Sequence, residues 1–560
     1  MSEQSSSSIE PGAPHRRSPL GPSPLITLLV VVVVIGLIIG SLALVIGHHA
    51  TNKSKPTHAA TTKVITKLGP EGVTSSAIIA ENKLPGTTAW QINGTMTPHV
   101  IEGFANTTDV SPGQTVGFYI SSQAPSFTIT AYRMGYYQGK GARQVWTSKS
   151  LPGVVQPACP LTPKINMVSC DNWAQTTSLE ISKIFVPGYY LFKLTSSTNQ
   201  QSYIPLTISD PTSHSTYVLI GRSMTEAGWN TYGGYSFYQG LGTCAPTYPV
   251  CNRARVASFD RPFDTGNGAS DFLGNEYPLV QYVEKEGLDV SYLSDVTLSV
   301  DPTLAMNHTA LLSLGHDETW TYEERQGVLA AMNKGLNVVY FGAAAVLRHA
   351  RLQASPLGPD QEVVNYRSTT EDPMSATGPA SQITGNTFNV PPTNLSPTLM
   401  TGELYSGFLI PGTPAVPLVV SDATSWLYTG TGLVNGSQIP GVIDSDIDHR
   451  DPGADSPANL QILAHSPVPL SQMVTNQGKW GAYTYADTTY WTSTTSDAGV
   501  FDAGTVNWIY AMQNCAAGQS CPGPLMQKMT GNILHLFGQG PTGKISPAVS
   551  NTASILPLGS

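Results

Sequence analysis

Charge is scarce in this chain. Asp, Glu, Lys and Arg make up 12 % of its 560 residues, about half the usual share, while Ser, Thr, Asn, Gly and Pro are abundant, a balance that suits an exported protein. Basic residues are the rarer sign, 28 against 37 acidic, for a net charge of −9. With no basic stripe or aromatic RNA-binding string to offset that charge, nucleic acid is excluded as a partner. Cysteine is limited to six residues with no CxxC among them. Several catalytic signatures are missing too: no GxSxG, HExxH or Walker sequence fixes a reaction. The nearest approach, GYYQGKGAR at 135–143, lacks the phosphate-loop spacing and the helix that must follow, and reads as a glycine-rich hairpin. No internal repeat is present.

Only one long apolar run occurs, Leu25–Gly47, and it carries no charge. At about 1.5 Å per residue it reaches roughly 34 Å, enough for a transmembrane helix and longer than a signal-peptide core. Arg16 and Arg17 before the run are outnumbered by Lys53, Lys55, Lys63 and Lys67 after it, so charge alone does not orient it. The cysteines do. Cys159 and Cys170, Cys244 and Cys251, and Cys515 and Cys521 form three close pairs, which points to local disulfides in an oxidising compartment, although six cysteines allow 15 connectivities. The expectation is a single-pass membrane protein with a cytoplasmic N-terminus and a large extracytoplasmic part. The domain plan reads 1–24 as a disordered tail, 25–47 as the membrane helix and 48–85 as a stalk linker. A β-sandwich follows at 86–210, an α/β domain at 211–540, and a flexible tail at 541–560.

Alternating apolar residues place strands at Thr115–Ile120, Phe127–Tyr132, Gly188–Leu194 and Tyr203–Ile208. After Asp210, strands at 216–220, 288–293, 310–314 and 336–341 alternate with helices at 277–285 and from Thr321 to a glycine stop at Gly335, the pattern of a mainly parallel sheet. Thr321 and Glu324 have capping-box spacing. Leu525–Phe537 reads as a final amphipathic helix with Met526, Met529, Ile533 and Phe537 on one side.

His316, Asp317 and Glu318 stand between the strand at 310–314 and the helix after Thr321, at the strand edge where ligands bind in open α/β sheets. Helix-dipole stabilisation accounts for one carboxylate there, at about 0.3–1 kcal/mol, but not for the histidine. Asn230–Tyr238, NTYGGYSFY, ends an earlier apolar run and adds aromatic and amide groups. Asp444, Asp446, Asp448 and Asp455 copy part of a calcium-loop spacing, but His449 replaces the required glycine, so calcium is not expected.

In order along the chain, IEGFANTTDVSPGQTVGFYIS, YRMGYYQGKGAR, WNTYGGYSFY, RARVASFDRPF, GHDETW and SDAGVFDAGTVNW resemble the large-subunit family of N,N-dimethylformamidase over about residues 95–540. The resemblance implies a β-sandwich followed by an α/β domain similar to class I glutamine amidotransferases, without their cysteine nucleophile. It also implies iron held by two tyrosines and a glutamate, with a histidine alongside. Carried over by motif, Tyr238 and Glu318 are the metal ligands, with iron or another divalent metal bound, and His316 is the neighbouring histidine. Trp229 stands where the second tyrosine is expected, and Tyr232 is a substitute three residues on. Ala344 takes the place of an asparagine in a G-x-N string, and Asp446 takes an acidic position one methylene shorter than glutamate.

These readings combine into a metal-dependent hydrolase of an amide C–N bond. His316, Asp317 and Asp446 are its catalytic candidates, and Trp229, Asn230 and Tyr232 its substrate-binding candidates. The ligand is a small amide or an envelope polymer, and the sequence leaves the oligomeric state open. A silent surface protein that binds glycan or peptide is the second reading.

Overall fold

Side chains alternate between the two faces of a strand, so a sheet buried on both sides needs apolar cover on each. The computed structural model describes residues 64–93, 97–242, 252–475, 483–515 and 521–555. Six longer strands make the sandwich: β1 (Ile101–Ala105), β2 (Thr115–Ser122), β3 (Ser126–Met134), β4 (Ala142–Thr147), β5 (Gly188–Ser196) and β6 (Gln201–Ile208). One sheet pairs β1 with β2 and adds Thr177–Glu180; the other runs Asp109–Val110, β6, β5, β3, β4. Phe118, Ile120, Ile129, Phe192 and Leu206 fill the space between them. The 135–143 glycine string is a hairpin, as its composition predicts: β3 and β4 pair in antiparallel fashion across it, and Gly139 and Gly141 adopt the positive φ that the turn requires.

A seven-stranded sheet follows. Its strands are β7 (Tyr217–Gly221), β8 (Val290–Ser294), β9 (Ala310–Gly315), β10 (Asn337–Gly342), β14 (Gln461–Pro469), β15 (Tyr483–Thr492) and β16 (Gly499–Asp502). Three further strands, β11 (Arg348–Ser355), β12 (Leu404–Leu409) and β13 (Asp446–His449), lie outside it. The spatial order is β8-β7-β9-β10-β16-β15-β14, parallel from β8 to β16 and antiparallel beyond. Leu219, Leu312, Val339 and Phe501 join one core, while Val218, Leu311, Val338 and Val500 join another on the opposite face. Burial on both faces is why these strands read as unbroken apolar runs.

The helices that cover the sheet include α1 (Ser223–Trp229), α2 (Tyr277–Lys285), α3 (Asp295–Val300), α4 (Tyr322–Met332) and α5 (Gly523–Phe537). Thr321 caps α4, its hydroxyl accepting from the Glu324 N–H at 3.1 Å, and Gly335 takes φ 102° after the helix. The capping box is only half made, because the Glu324 carboxylate accepts from Ser299 instead. In α5, Met526, Met529, Ile533 and Phe537 are all fully buried.

The expected α/β class is corrected by this structure. Strand accounts for 34 % of the chain and helix for 22 %, so the molecule is mostly β, and it is not a glutamine amidotransferase-like α/β domain. The strand and helix alternation seen from 216 to 342 does not continue: among the described residues no α-helix lies between Met332 and Gly523, where Gly, Pro, Ser and Thr favour hairpins. The expected transmembrane run 25–47 lies outside the described residues, and none of the described helices is long and apolar enough to cross a membrane. Parts of the stretches read as stalk and tail are folded. Thr66–Gly69 and Gly72–Ser75 form a hairpin, the Val73 N–H donates to the Tyr217 hydroxyl at 3.0 Å, and Tyr490 donates to the Ser546 carbonyl at 2.7 Å. Cys159–Cys170 and Cys515–Cys521 are disulfides, and Cys244 and Cys251 lie outside the described residues.

Candidate functional site

At the carboxyl ends of β9 and β10 the chain makes two close turns. Gly315 and Gly342 pair there, and a Cβ on Gly342 would meet the Gly315 oxygen at 1.5 Å. That approach lets the loop after β9 carry His316, Asp317 and Glu318 over the sheet edge. Thr225 of α1 then fixes the loop, its hydroxyl accepting from the N–H groups of Glu318 at 3.1 Å and Thr319 at 2.9 Å. Arg222, paired with Glu276 and Asp271, donates to the His316 carbonyl at 3.4 Å.

Glu318 is the hub. Its Oε1 accepts from Arg348 Nε at 2.8 Å, at the start of β11; its Oε2 accepts from the Tyr238 hydroxyl and from Trp229 Nε1 at 3.3 Å. His316 Nε2 stands 3.6 Å from the same Oε2 and 4.0 Å from Asp446 Oδ2, buried and without a hydrogen-bond partner. Asp446 opens β13, which pairs with β12, and Tyr405 of β12 hydrogen-bonds the Asp446 carboxyl. Burial works to raise the Glu318 carboxyl, yet Arg348, His316, Arg367 and the Tyr238 hydrogen bond together hold it down to about 2. Burial pushes Asp446 up against the pull of His316, with Glu318 adding to the rise. Tyr238 is also raised, by burial first, with Arg367 and Arg348 opposing. Its ring lies flat against Trp229, centroids 3.8 Å apart and planes 12° from parallel.

Tyr238, His316, Glu318, Asp446 and Trp229 are thus gathered from four separate segments. Three other sequence candidates lie elsewhere. Asp317 turns down into the sheet, accepting from Ser313 at 2.7 Å, and is raised to about 6 by burial despite that bond. The Asn230 side chain holds the Pro262 carbonyl and the Tyr232 N–H. Tyr232 donates to Glu102 of β1 at 2.8 Å and lines a separate groove of about 700 Å³ with His99, Trp173 and Asp264. Ala344 contributes its backbone, donating to both Asp448 oxygens at 2.9 and 2.8 Å. Arg348, Arg367, Tyr405 and Thr225 escape a reading of the sequence, since none lies in a motif or near Glu318 in the chain.

Residues 128–521, well over half of the chain, match the family described as N,N-dimethylformamidase beta subunit-like, C-terminal. The chain belongs to that family. In this dimethylformamidase-like protein the matched span begins within the sandwich and takes in every residue gathered at Glu318. None of the curated proteins matches. Among solved structures, a 1.4 Å crystal structure of an uncharacterized protein from Bacillus anthracis str. Ames is similar over 19 % of this chain and 84 % of that one. Identity is 15 % and the TM-score 0.13, so the likeness carries no argument about the site.

Proposed function

We propose that this dimethylformamidase-like protein hydrolyses an amide C–N bond at the Glu318 centre. One observation carries the reading: a phenol, an imidazole nitrogen and an indole N–H converge on one buried carboxylate oxygen, with a second carboxylate 4.0 Å from the same imidazole nitrogen.

Among the described residues no group of three or more His, Cys, Asp and Glu side chains is spaced to hold a metal, so a cation at this centre depends on the Tyr238 oxygen. With that oxygen counted, the donors would suit iron or another hard divalent or trivalent cation: Glu318 supplies a carboxylate, Tyr238 would supply a phenolate once the cation displaced its proton, and His316 Nε2 stands 3.6 Å from the carboxylate with no hydrogen-bond partner, free to handle a proton. Arg348 occupies only Oε1, and a metal at Oε2 would take the place of the Tyr238 hydroxyl proton there. Such a cation would supply a more acidic bound water. The protein groups do the rest. Arg348 keeps Glu318 ionised, His316 Nε2 takes a proton from the attacking water and returns it to the leaving nitrogen, and Asp446 Oδ2, 4.0 Å from the same nitrogen, faces the imidazolium that forms. Trp229, 43 % exposed, forms the open wall.

The test is metal analysis of the full chain, purified after supplementation with iron or zinc. Near-stoichiometric metal is expected in the native protein, with loss in Glu318→Ala and Tyr238→Phe. Metal absent from the native protein would sink the metal-dependent reading and favour the binding protein, for which the exposed Trp229 offers a stacking face.

A further inference from the structure

Arg367 stands at the same centre without an anion of its own. Its guanidinium lies 4.0 Å above the Tyr238 ring, and because Trp229 stacks on that ring at 3.8 Å, the two cover opposite faces. Its Nε and Nη2 are buried with no hydrogen-bond partner, whereas neighbouring Arg348 spends its charge on Glu318. A desolvated guanidinium is costly to keep, and a ring face offsets only part of that cost. The backbone adds a second observation. Arg367 holds φ at 52°, in the left-handed region that non-glycine residues seldom adopt, and such strain persists where a position serves a site.

We propose that Arg367 receives a carboxylate of the substrate, so that the amide cleaved at Glu318 bears a negative charge close to the scissile bond. A guanidinium fork with free Nε and Nη edges pairs bidentately with such a group, a geometry that a neutral amide cannot use. The reaction is that of the amidohydrolase reading, on which this inference rests for its chemistry but not for its binding. Water gives its oxygen to the acyl carbon, the C–N bond breaks, and the nitrogen departs with a proton from His316.

Calorimetric titration of the full chain with N-acetylglycine and with its neutral counterpart N-acetylglycinamide tests the idea, with amine release followed in the same samples. The carboxylate is expected to bind roughly tenfold more tightly than the amide, an advantage lost in Arg367→Met and partly kept in Arg367→Lys. Equal affinity for the two compounds in the native protein, or none for either, overturns the inference without needing a variant. Preferential binding without amine release leaves Arg367 as a carboxylate receptor and removes the hydrolase reading. Equal hydrolysis of both amides, unchanged in Arg367→Met, does the reverse.

Discussion

Glu318 and Asp260 are both buried carboxyls, and their surroundings push them in opposite directions. For Glu318 burial is outweighed by Arg348, His316 and Arg367; its stabilising charge is present above the unfolded value of about 4.3 and is lost as pH falls through about 2. For Asp260 burial wins and the carboxyl rises to about 7, with only Ser355 bonding one oxygen while the other has no partner. The native state then holds a proton that the unfolded chain releases near pH 4, so stability falls as pH rises from about 4 to 7 and levels off above. In Asp260→Asn that slope is expected to flatten, by on the order of 1–3 kcal/mol across the window, as read from urea unfolding at several pH values. His316 and Glu318 could be singled out from sequence because they are adjacent in a polar run at a strand end. Arg348, Arg367 and Tyr405 could not, since each reaches the site from a segment with no local signal.

Strands β9 and β10 end together, and the glycine at each end is what allows the acid loop to cross. Gly342→Ala puts a methyl group into the Gly315 carbonyl, backbone against backbone, where no rotamer change can relieve it. A loss of about 3 kcal/mol or more is expected in denaturant unfolding. Elements bounded by clear local chemistry are the ones legible in the sequence. Helix α2 occupies 277–285 as read, Thr321 caps α4, and β9 begins at Ala310. From 353 to 440 the chain is poorly periodic, and β12 there is set by pairing with β13, about 40 residues on.

The sandwich and the seven-stranded sheet share buried groups rather than merely touching. Arg133 of β3 pairs with Glu284 of α2 at 2.7 and 3.0 Å, and Tyr292 of β8 donates to the same carboxylate at 2.7 Å, as does Asn82 from the segment before the sandwich. Tyr132 and Leu191 of the sandwich lie in one core with Leu219 and Leu312 of the sheet. Glu284→Ala leaves a fully buried guanidinium without its anion, so a loss of about 3–5 kcal/mol is expected, in a single calorimetric transition instead of one per domain. The sequence by itself determined what local chemistry can settle: the sandwich strands, the central parallel strands, their caps and the loop that bears His316 and Glu318. Backbone preference and apolar alternation act over a few residues, and these features need no more. Only the tertiary structure decided that the molecule is mostly β, that Asp317 faces inward while Asp446 faces His316, and that Arg348 and Arg367 flank Tyr238. The last two depend on charges brought together from more than 100 residues apart, Asp446 onto His316 and both arginines onto Tyr238, and folding alone sets such distances.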